Sequence, residues 1–339
     1  LREVSIVAPF KVVSHHLVAR RIAAVFEEQG VKTEVYDLDW TGEVPGRNLL
    51  FVGAFIPETF SYCARFMPEK NIVVYGAIEG FPIMDSISVE KEIAQDMNLI
   101  AVSKFSQMCM ETVGIPINGV IYHGVPMDEE QYNTHFLQYI RKFNRGGPTV
   151  LCNSANYVRK ALANFMLASK FVNRAIAETF FILHSAEGAV NIPMMIEDLQ
   201  LKNFWWTNSY GTLTVPRVNT FYKACKVNVL PSYCEGFGLP IIEAMAFNRP
   251  TVAVDAQPYN EIIENGKTGI LIPVTNTRND NWQNRIYMIH HHYSIDALAN
   301  AIIALLSQPD VLNRMEKAIS EEKKRFDFRK TYVELLKYW

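Results

Sequence analysis

Pro231-Ser-Tyr-Cys-Glu235-Gly-Phe-Gly-Leu-Pro240-Ile-Ile-Glu243-Ala-Met-Ala246 decides the fold. An apolar run, Val227-Asn-Val-Leu230, precedes it and predicts a short buried strand. A glycine-containing loop comes next, and Pro240 then stands where a first helical residue would, ahead of good helix formers. Strand, tight loop and helix start aim unpaired backbone N–H groups and the positive end of a helix dipole at one point. That point suits a phosphate or another anionic leaving group. Gly236 and Gly238 let the backbone come close to a ligand because no Cβ intervenes. Two carboxylates bracket the loop, Glu235 within it and Glu243 one turn into the helix. Glu243 alone reads as a favourable first-turn residue. The pair around a glycine loop reads as a binding site, because an ionised carboxylate beside a helix N-terminus can accept hydrogen bonds from a diol.

Working outward, the 339 residues predict two domains. A hydrophobic content of 49% and a net charge of −2 describe an ordinary globular chain, with no basic excess to suggest nucleic acid. No apolar run approaches the roughly 20 residues that span a bilayer. The opening Leu1-Arg-Glu-Val-Ser-Ile-Val-Ala is too short and charged for a signal peptide and reads as a first strand. Five cysteines, at 63, 109, 152, 225 and 234, lack metal-ligand spacing and are odd in number, which predicts a reduced, cytoplasmic setting. Cys234 reads as a small buried thiol rather than a nucleophile. His290-His-His292 has no cysteine or carboxylate at ligand spacing, and reads as part of a polar loop.

The first half alternates strands and helices. Val4–Ala8, Val31–Tyr36, Leu49–Gly53, Asn71–Tyr75, Leu99–Val102 and Gly119–Tyr122 read as strands, with an amphipathic helix over Leu17–Gln29 stopped by Gly30. This alternation predicts a parallel sheet covered by helices. No G-x-G-x-x-G follows the first strand, which disfavours a dinucleotide-binding Rossmann enzyme. Asn144-Arg-Gly-Gly-Pro148 reads as a linker. After it come strands at Thr149–Cys152, Phe180–Leu183 and Asn203–Trp206, a short helix over Phe221–Cys225, a long polar insertion over Thr275–His292, and helices over Ile295–Leu306 and Phe328–Trp339.

The stretch Glu235-Gly-Phe-Gly-Leu-Pro-Ile-Ile-Glu243-Ala-Met-Ala resembles the E-x7-E signature of retaining glycosyltransferases of the GT-B fold, glycosyltransferase family 4 (glycosyl transferases group 1). Glu261-Ile-Ile-Glu264-Asn-Gly-Lys-Thr-Gly269-Ile-Leu-Ile-Pro273 is similar to the family pattern that follows. Leu99-Ile-Ala-Val-Ser103-Lys-Phe-Ser, Gly114-Ile-Pro and Val120-Ile-Tyr-His123-Gly124-Val-Pro126 resemble family segments that close the first domain, with His123 and Pro126 in place of an Asn and an Asp. The resemblance implies an α/β GT-B architecture, two Rossmann-like βαβ domains facing a central cleft. It places an acceptor-side domain at 1–144, a nucleotide-sugar domain at 148–322, and a last helix, 325–339, packed back on the first domain.

The resemblance also implies roles. Glu243 would bind ribose hydroxyls. Lys160, with Arg159, would neutralise the departing diphosphate. The amides of Phe237, Gly238 and Leu239 would hold the donor sugar or its phosphate. Ser154 stands where the family has an Arg, and Ala161 where it has a Gly. Arg159 and Lys160, read as a helix start, would alone be a solvated turn, but two cations near a helix N-terminus call for an anion. Glu79, in Glu79-Gly-Phe-Pro82, is proposed to face the cleft and help set acceptor or donor-sugar orientation, against an equal reading as a loop carboxylate in water. His15 and His16 read as loop or N-cap residues. Glu235 is assigned to orienting the donor sugar and stabilising positive charge at its ring, with covalent catalysis as the minor reading. The expected partners are a nucleotide-diphosphate sugar and an acceptor glycan, lipid or protein, with peripheral membrane contact left open and no cofactor. No metal is expected, since no Asp-x-Asp pair that would bind one is read. Competing readings are a sugar phosphorylase of the same fold and a catalytically silent scaffold.

Overall fold

The computed structural model describes residues 3–83, 88–127 and 131–339. Its first sheet holds β1 (Glu3–Ala8), β2 (Lys32–Asp37), β3 (Asn48–Ala54), β4 (Asn71–Ala77), β6 (Asn98–Ala101) and β7 (Gly119–Val120), with the three-residue β5 (Gly80–Pro82) outside it. The order is β2-β1-β3-β4-β6-β7 and every pairing is parallel. Parallel strands covered on both faces read as continuous apolar runs. Here Val4, Ile6, Leu50, Val52 and Val73 fill one face, and Val7, Leu49, Phe51, Ile72 and Val74 the other. The helix Val13–Glu28 lays Val18, Ala19, Ile22, Ala23 and Phe26 on the first of these faces. Gly30, at φ +76°, turns the chain out of it.

The second sheet is also parallel: β8 (Thr149–Asn153), β9 (Phe180–His184), β10 (Phe204–Trp206), β11 (Val227–Val229), β12 (Thr251–Val254) and β13 (Gly269–Ile272), in the order β10-β9-β8-β11-β12-β13. The order reverses between β8 and β11. In such sheets ligands bind beyond the carboxyl ends of the strands at that reversal, which is where the Glu235 loop and the Arg159-Lys160 turn emerge.

Several expectations are corrected. The polar stretch Thr275–His292 is not a loop. It forms most of an antiparallel hairpin, β14 (Val274–Trp282) and β15 (Ile286–Tyr293), so His290-His-His292 lies in a strand. β15 pairs antiparallel with β5 of the first domain, Ile286 with Pro82, Tyr287 with Phe81 and Met288 with Gly80, and stitches the two halves together. Arg159 and Lys160 occupy a single 3-10 turn, Val158–Lys160, followed by Ala161 at φ +49° and the helix Leu162–Ala175. The helix Leu239–Ala246 begins one residue before Pro240. His15 and His16 lie within the first turn of the helix Val13–Glu28, whose N-cap position is Val12. The chain's last segment is a five-residue helix, Phe328–Tyr332, and a 3-10 segment, Val333–Tyr338. A helix over Pro309–Glu322, not read in the sequence, precedes it.

That last segment packs on the first half of the chain. Tyr332 Oη donates to Gly124 O and accepts from Gly124 N, both at 3.1 Å. Asn98 Nδ2 donates to Tyr338 O at 2.9 Å, and Trp339 sits edge-on to Phe26 with centroids 5.9 Å apart. Among the described residues no single helix is long and apolar enough to cross a membrane.

The stitch depends on a bare backbone. A Cβ on Gly80 would lie 2.0 Å from Tyr287 O and 2.8 Å from Met288 Cα. Gly80→Ala is therefore expected to break the β5–β15 pairing and cost about 1–3 kcal/mol. Thermal unfolding, together with amide exchange across residues 286–288, measures both effects.

Candidate functional site

The Glu235 loop is held from four directions. The buried phenols of Tyr293 and Tyr259 donate to Pro231 O and Ser232 O, the latter at 3.0 Å. Tyr233 N donates to Arg159 O at 2.8 Å, and His291 N of β15 donates to Tyr233 O at 2.9 Å. From the first domain, Ser103 Oγ donates to Gly236 O at 2.7 Å. The approach there is tight, since a Cβ on Gly236 would meet Ala77 Cβ at 2.8 Å. Gly238 adopts φ +104°, a conformation open to glycine, and leads into the helix with no side-chain cap. The first N–H groups of that helix have no intrahelical acceptor.

Four charged side chains converge beside this loop. Lys160 Nζ donates to both Glu235 oxygens at 2.6 Å, and Ser232 Oγ donates to Oε1 at 2.7 Å. Arg159 divides itself between Glu235, with Nη1 3.4 Å from Oε2, and Glu79 of the first domain, with Nη2 2.6 Å from Oε1. Glu235 is 6% exposed. Burial alone would raise its pKa, but the Lys160 and Arg159 charges and the hydrogen bonds from Lys160 and Ser232 outweigh this and hold it below the ordinary value. Glu79 goes the other way. Burial pushes its carboxyl up, opposed by Arg159 and Lys160 and reinforced by Glu235. Arg159 pays a burial penalty that Glu79 and Glu235 more than offset, so its pKa rises and it stays charged.

Glu243 faces a different set of groups. Tyr222 Oη donates to its Oε2 at 2.8 Å and accepts from Asn153 Nδ2 at 2.8 Å. Asn153 ends β8, and its Oδ1, like Ser185 Oγ just after β9, is buried with no partner among the described residues. Tyr210 lies within electrostatic reach of Glu243, Glu235 and Tyr157, and its ring tilts against His184 with centroids 5.6 Å apart. Burial, then those neighbours, push its phenol up.

Glu79, Arg159, Lys160 and Glu235 thus come together as one cluster, and Glu243 lies one turn along the adjoining helix. Ser154 does not join them through its side chain. Its Oγ donates to Ala155 O at 3.4 Å, and its N–H ties β8 to β9 through His184 O at 3.1 Å. The Phe237 ring is buried against His123 and Tyr122 of the first domain, with centroids 5.0 and 5.9 Å away. Sequence reasoning missed Asn153, Tyr210, Tyr222 and Ser232. Their types carry no signal; Ser232 stands three residues before Glu235, and the strand order brings the other three to the same end of the sheet. Among the described residues no group of His, Cys, Asp or Glu has the geometry to hold a metal. The chain does contain an Asp-x-Asp, Asp37-Leu-Asp39, but Asp39 pairs with Lys11 at 2.6 Å and Asp37 Oδ1 accepts from Phe10 N at 3.1 Å.

Residues 207–324 match the family model described as Glycosyl transferases group 1. The chain is 24% identical over 332 residues to uncharacterized glycosyltransferase 335 of Sulfolobus islandicus rod-shaped virus 1, covering 94% of this chain and 95% of that protein. It is 30% identical to the D-inositol 3-phosphate glycosyltransferase of Paenarthrobacter aurescens over 37% of this chain, which is 28% of that relative's length. Among solved structures it is similar to Anabaena HepE in complex with UDP and glucose, with a TM-score of 0.75 at 16% identity over 99% of both chains. It is similar also to the sucrose-phosphate synthase of Thermosynechococcus elongatus, with a TM-score of 0.76 at 14% identity over 99% of this chain and 98% of that one. The fold is GT-B, two parallel-sheet Rossmann-like domains.

The lowered pKa of Glu235 has a measurable sign. Its ionised form adds stability that is complete above the ordinary carboxylate value of 4.5 and is lost as pH falls through the lowered one. Glu235→Gln removes that contribution and leaves Lys160 poorly compensated. Urea unfolding at pH 7 and pH 3.5 is expected to show a wild-type advantage over Glu235→Gln that shrinks at the lower pH. An advantage equal at both would contradict the assignment.

Proposed function

We propose that the protein is a retaining, metal-independent glycosyltransferase that moves a hexosyl group from a nucleotide-diphosphate sugar to an acceptor hydroxyl. The observation that carries this is the position of Arg159, Lys160 and Glu235 at the β8/β11 reversal, beside the helix that starts after Gly238. Two partly buried cations there answer the charge of a diphosphate as it leaves, and preorganised charge of this kind is a large catalytic term. The UDP in the HepE structures and the group 1 match support the same reading. Asn153 Oδ1 and Ser185 Oγ, neither with a partner among the described residues, and the Glu243 carboxylate offer polar contacts for a nucleoside at the ends of β8 and β9 and on the neighbouring helix.

The chemistry follows from the charges. With no donor present, Glu79 and Glu235 neutralise Arg159 and Lys160. A donor diphosphate offers the cations an alternative partner. As the bond from the anomeric carbon to the phosphate oxygen breaks, Lys160 and Arg159 meet the negative charge that develops. The acceptor oxygen bonds to the anomeric carbon on the same face, and its proton passes to the departing phosphate oxygen. Glu235 orients the sugar and faces the positive charge on its ring, while Glu79 sets sugar orientation from the first domain.

Nucleoside diphosphates are expected to raise the melting temperature, and inorganic phosphate is not. A shift with phosphate alone would instead favour a phosphorylase. Lys160→Ala is expected to lose the nucleotide shift. Glu235→Gln is expected to lower turnover with a responsive nucleotide sugar by 10-fold or more while changing donor affinity less. The absence of any shift across a panel of nucleotide sugars would defeat the reading.

A further inference from the structure

Two motif segments take no direct part in this chemistry: Ser103, which ends the first-domain run Leu99-Ile-Ala-Val-Ser103, and Glu261, which opens the run after β12. The structure brings them to the same place. Glu261 of the second domain reaches across the cleft to the helix Lys104–Thr112 of the first, where its Oε2 accepts from Lys104 N and its Oε1 from Phe105 N, both at 2.8 Å. Ser103, the N-cap of that helix, accepts from Ser106 N at 3.0 Å while its own hydroxyl donates to Gly236 O. Ser106 Oγ accepts from Ile78 N at 3.1 Å, and Ile78 precedes Glu79. Ser103 and Ser106 are fully buried. The Glu261 backbone is itself held, since Arg325 Nη2 donates to its carbonyl at 3.2 Å.

We propose that the N-terminal turn of the helix Lys104–Thr112 is a latch between the domains, with Glu261 and Ser103 as its positioning residues. A helix start left without acceptors in a closed interface is unfavourable, so the closed arrangement is favoured where Glu261 fills it. In that arrangement Ser103 fixes the carbonyl of Gly236, and with it the direction of the Phe237, Gly238 and Leu239 amides that follow. Through Ser106 and Ile78 the same turn fixes where Glu79 leaves β4. One contact thus sets both sides of the site at once.

In its catalytic consequence this rests on the glycosyl-transfer reading, so the test has an arm that does not. Ser103→Ala and Glu261→Gln in the full chain are followed by amide hydrogen exchange across residues 236–239, by nucleoside diphosphate affinity, and by turnover. Exchange at 236–239 is expected to rise at least 10-fold in both variants, with affinity within about twofold of wild type, because the groups proposed to meet the nucleoside and diphosphate, Asn153, Ser185, Glu243, Arg159 and Lys160, all lie in the second domain. Turnover is expected to fall 10-fold or more, and Ser103→Thr, which keeps the hydroxyl, to restore most of it. Unchanged exchange at 236–239 overturns the latch. So does a loss of turnover matched by an equal loss of affinity, or a Ser103→Thr variant as impaired as Ser103→Ala. Were the wild type to transfer no sugar at all, the transfer reading would fall and the exchange result would decide the latch by itself.

Discussion

Everything at the cleft depends on balancing Arg159 and Lys160 away from bulk water. Removing one partner of a buried ion pair typically costs about 3–5 kcal/mol, because the other charge is left uncompensated. Here the compensation comes from both domains, Glu235 from the second and Glu79 from the first. In this arrangement the charge balance of the site therefore draws on both domains. The opposite pKa directions of the two carboxylates express that division. Glu235 is fully engaged by Lys160 and Ser232 and is held charged, while Glu79 shares one guanidinium and is the easier of the two to neutralise. An anion entering between the domains meets cations whose first partner is strongly committed and whose second is not.

The surrounding scaffold is built to keep that geometry. Tyr259 and Tyr293 are buried phenols spent on loop carbonyls. Each satisfies a backbone acceptor that the irregular stretch Pro231–Gly238 would otherwise leave without a partner, which in a buried loop costs as much as a lost hydrogen bond. These two carbonyls need no strand donor, whereas Tyr233 O between them and Glu235 takes its hydrogen bond from His291 N of β15. Gly236 and Gly80 do the complementary work of letting backbones touch, against Ala77 in one case and Tyr287 in the other.

The sequence made some of this legible and hid the rest for identifiable reasons. The strand–loop–helix around Glu235 could be read because its glycines, Pro240 and both carboxylates sit within one short segment. Parallel strands could be read because they are apolar on both faces. β14 could not, because nearly all its side chains are in water on both faces, leaving Thr, Asn, Arg and Asp with no alternation to detect. β5 is three residues long and exists only through its pairing with β15. Ser103 and Glu261 were visible as motif residues, yet the bonds from the Lys104 and Phe105 amides to Glu261 join positions more than 150 apart in sequence, and no local pattern encodes them. The Glu79–Arg159 pair was half visible: both residues could be read as candidates, Glu79 at the cleft and Arg159 at the diphosphate, but their meeting could not.

The return of residues 328–339 to the first domain bears on how the chain is made. Tyr332 is fully buried beneath Gly124, and Trp339 closes over Phe26, some 300 residues upstream. During synthesis the amino-terminal sheet emerges long before these side chains do, so one face of its core waits uncovered while the whole second domain is translated. Contacts of such sequence separation are slow to form, and exposed apolar surface in the interval invites association. The first half of the chain thus takes part of its cover from residues 328–339, and a chain interrupted within the second domain lacks that cover.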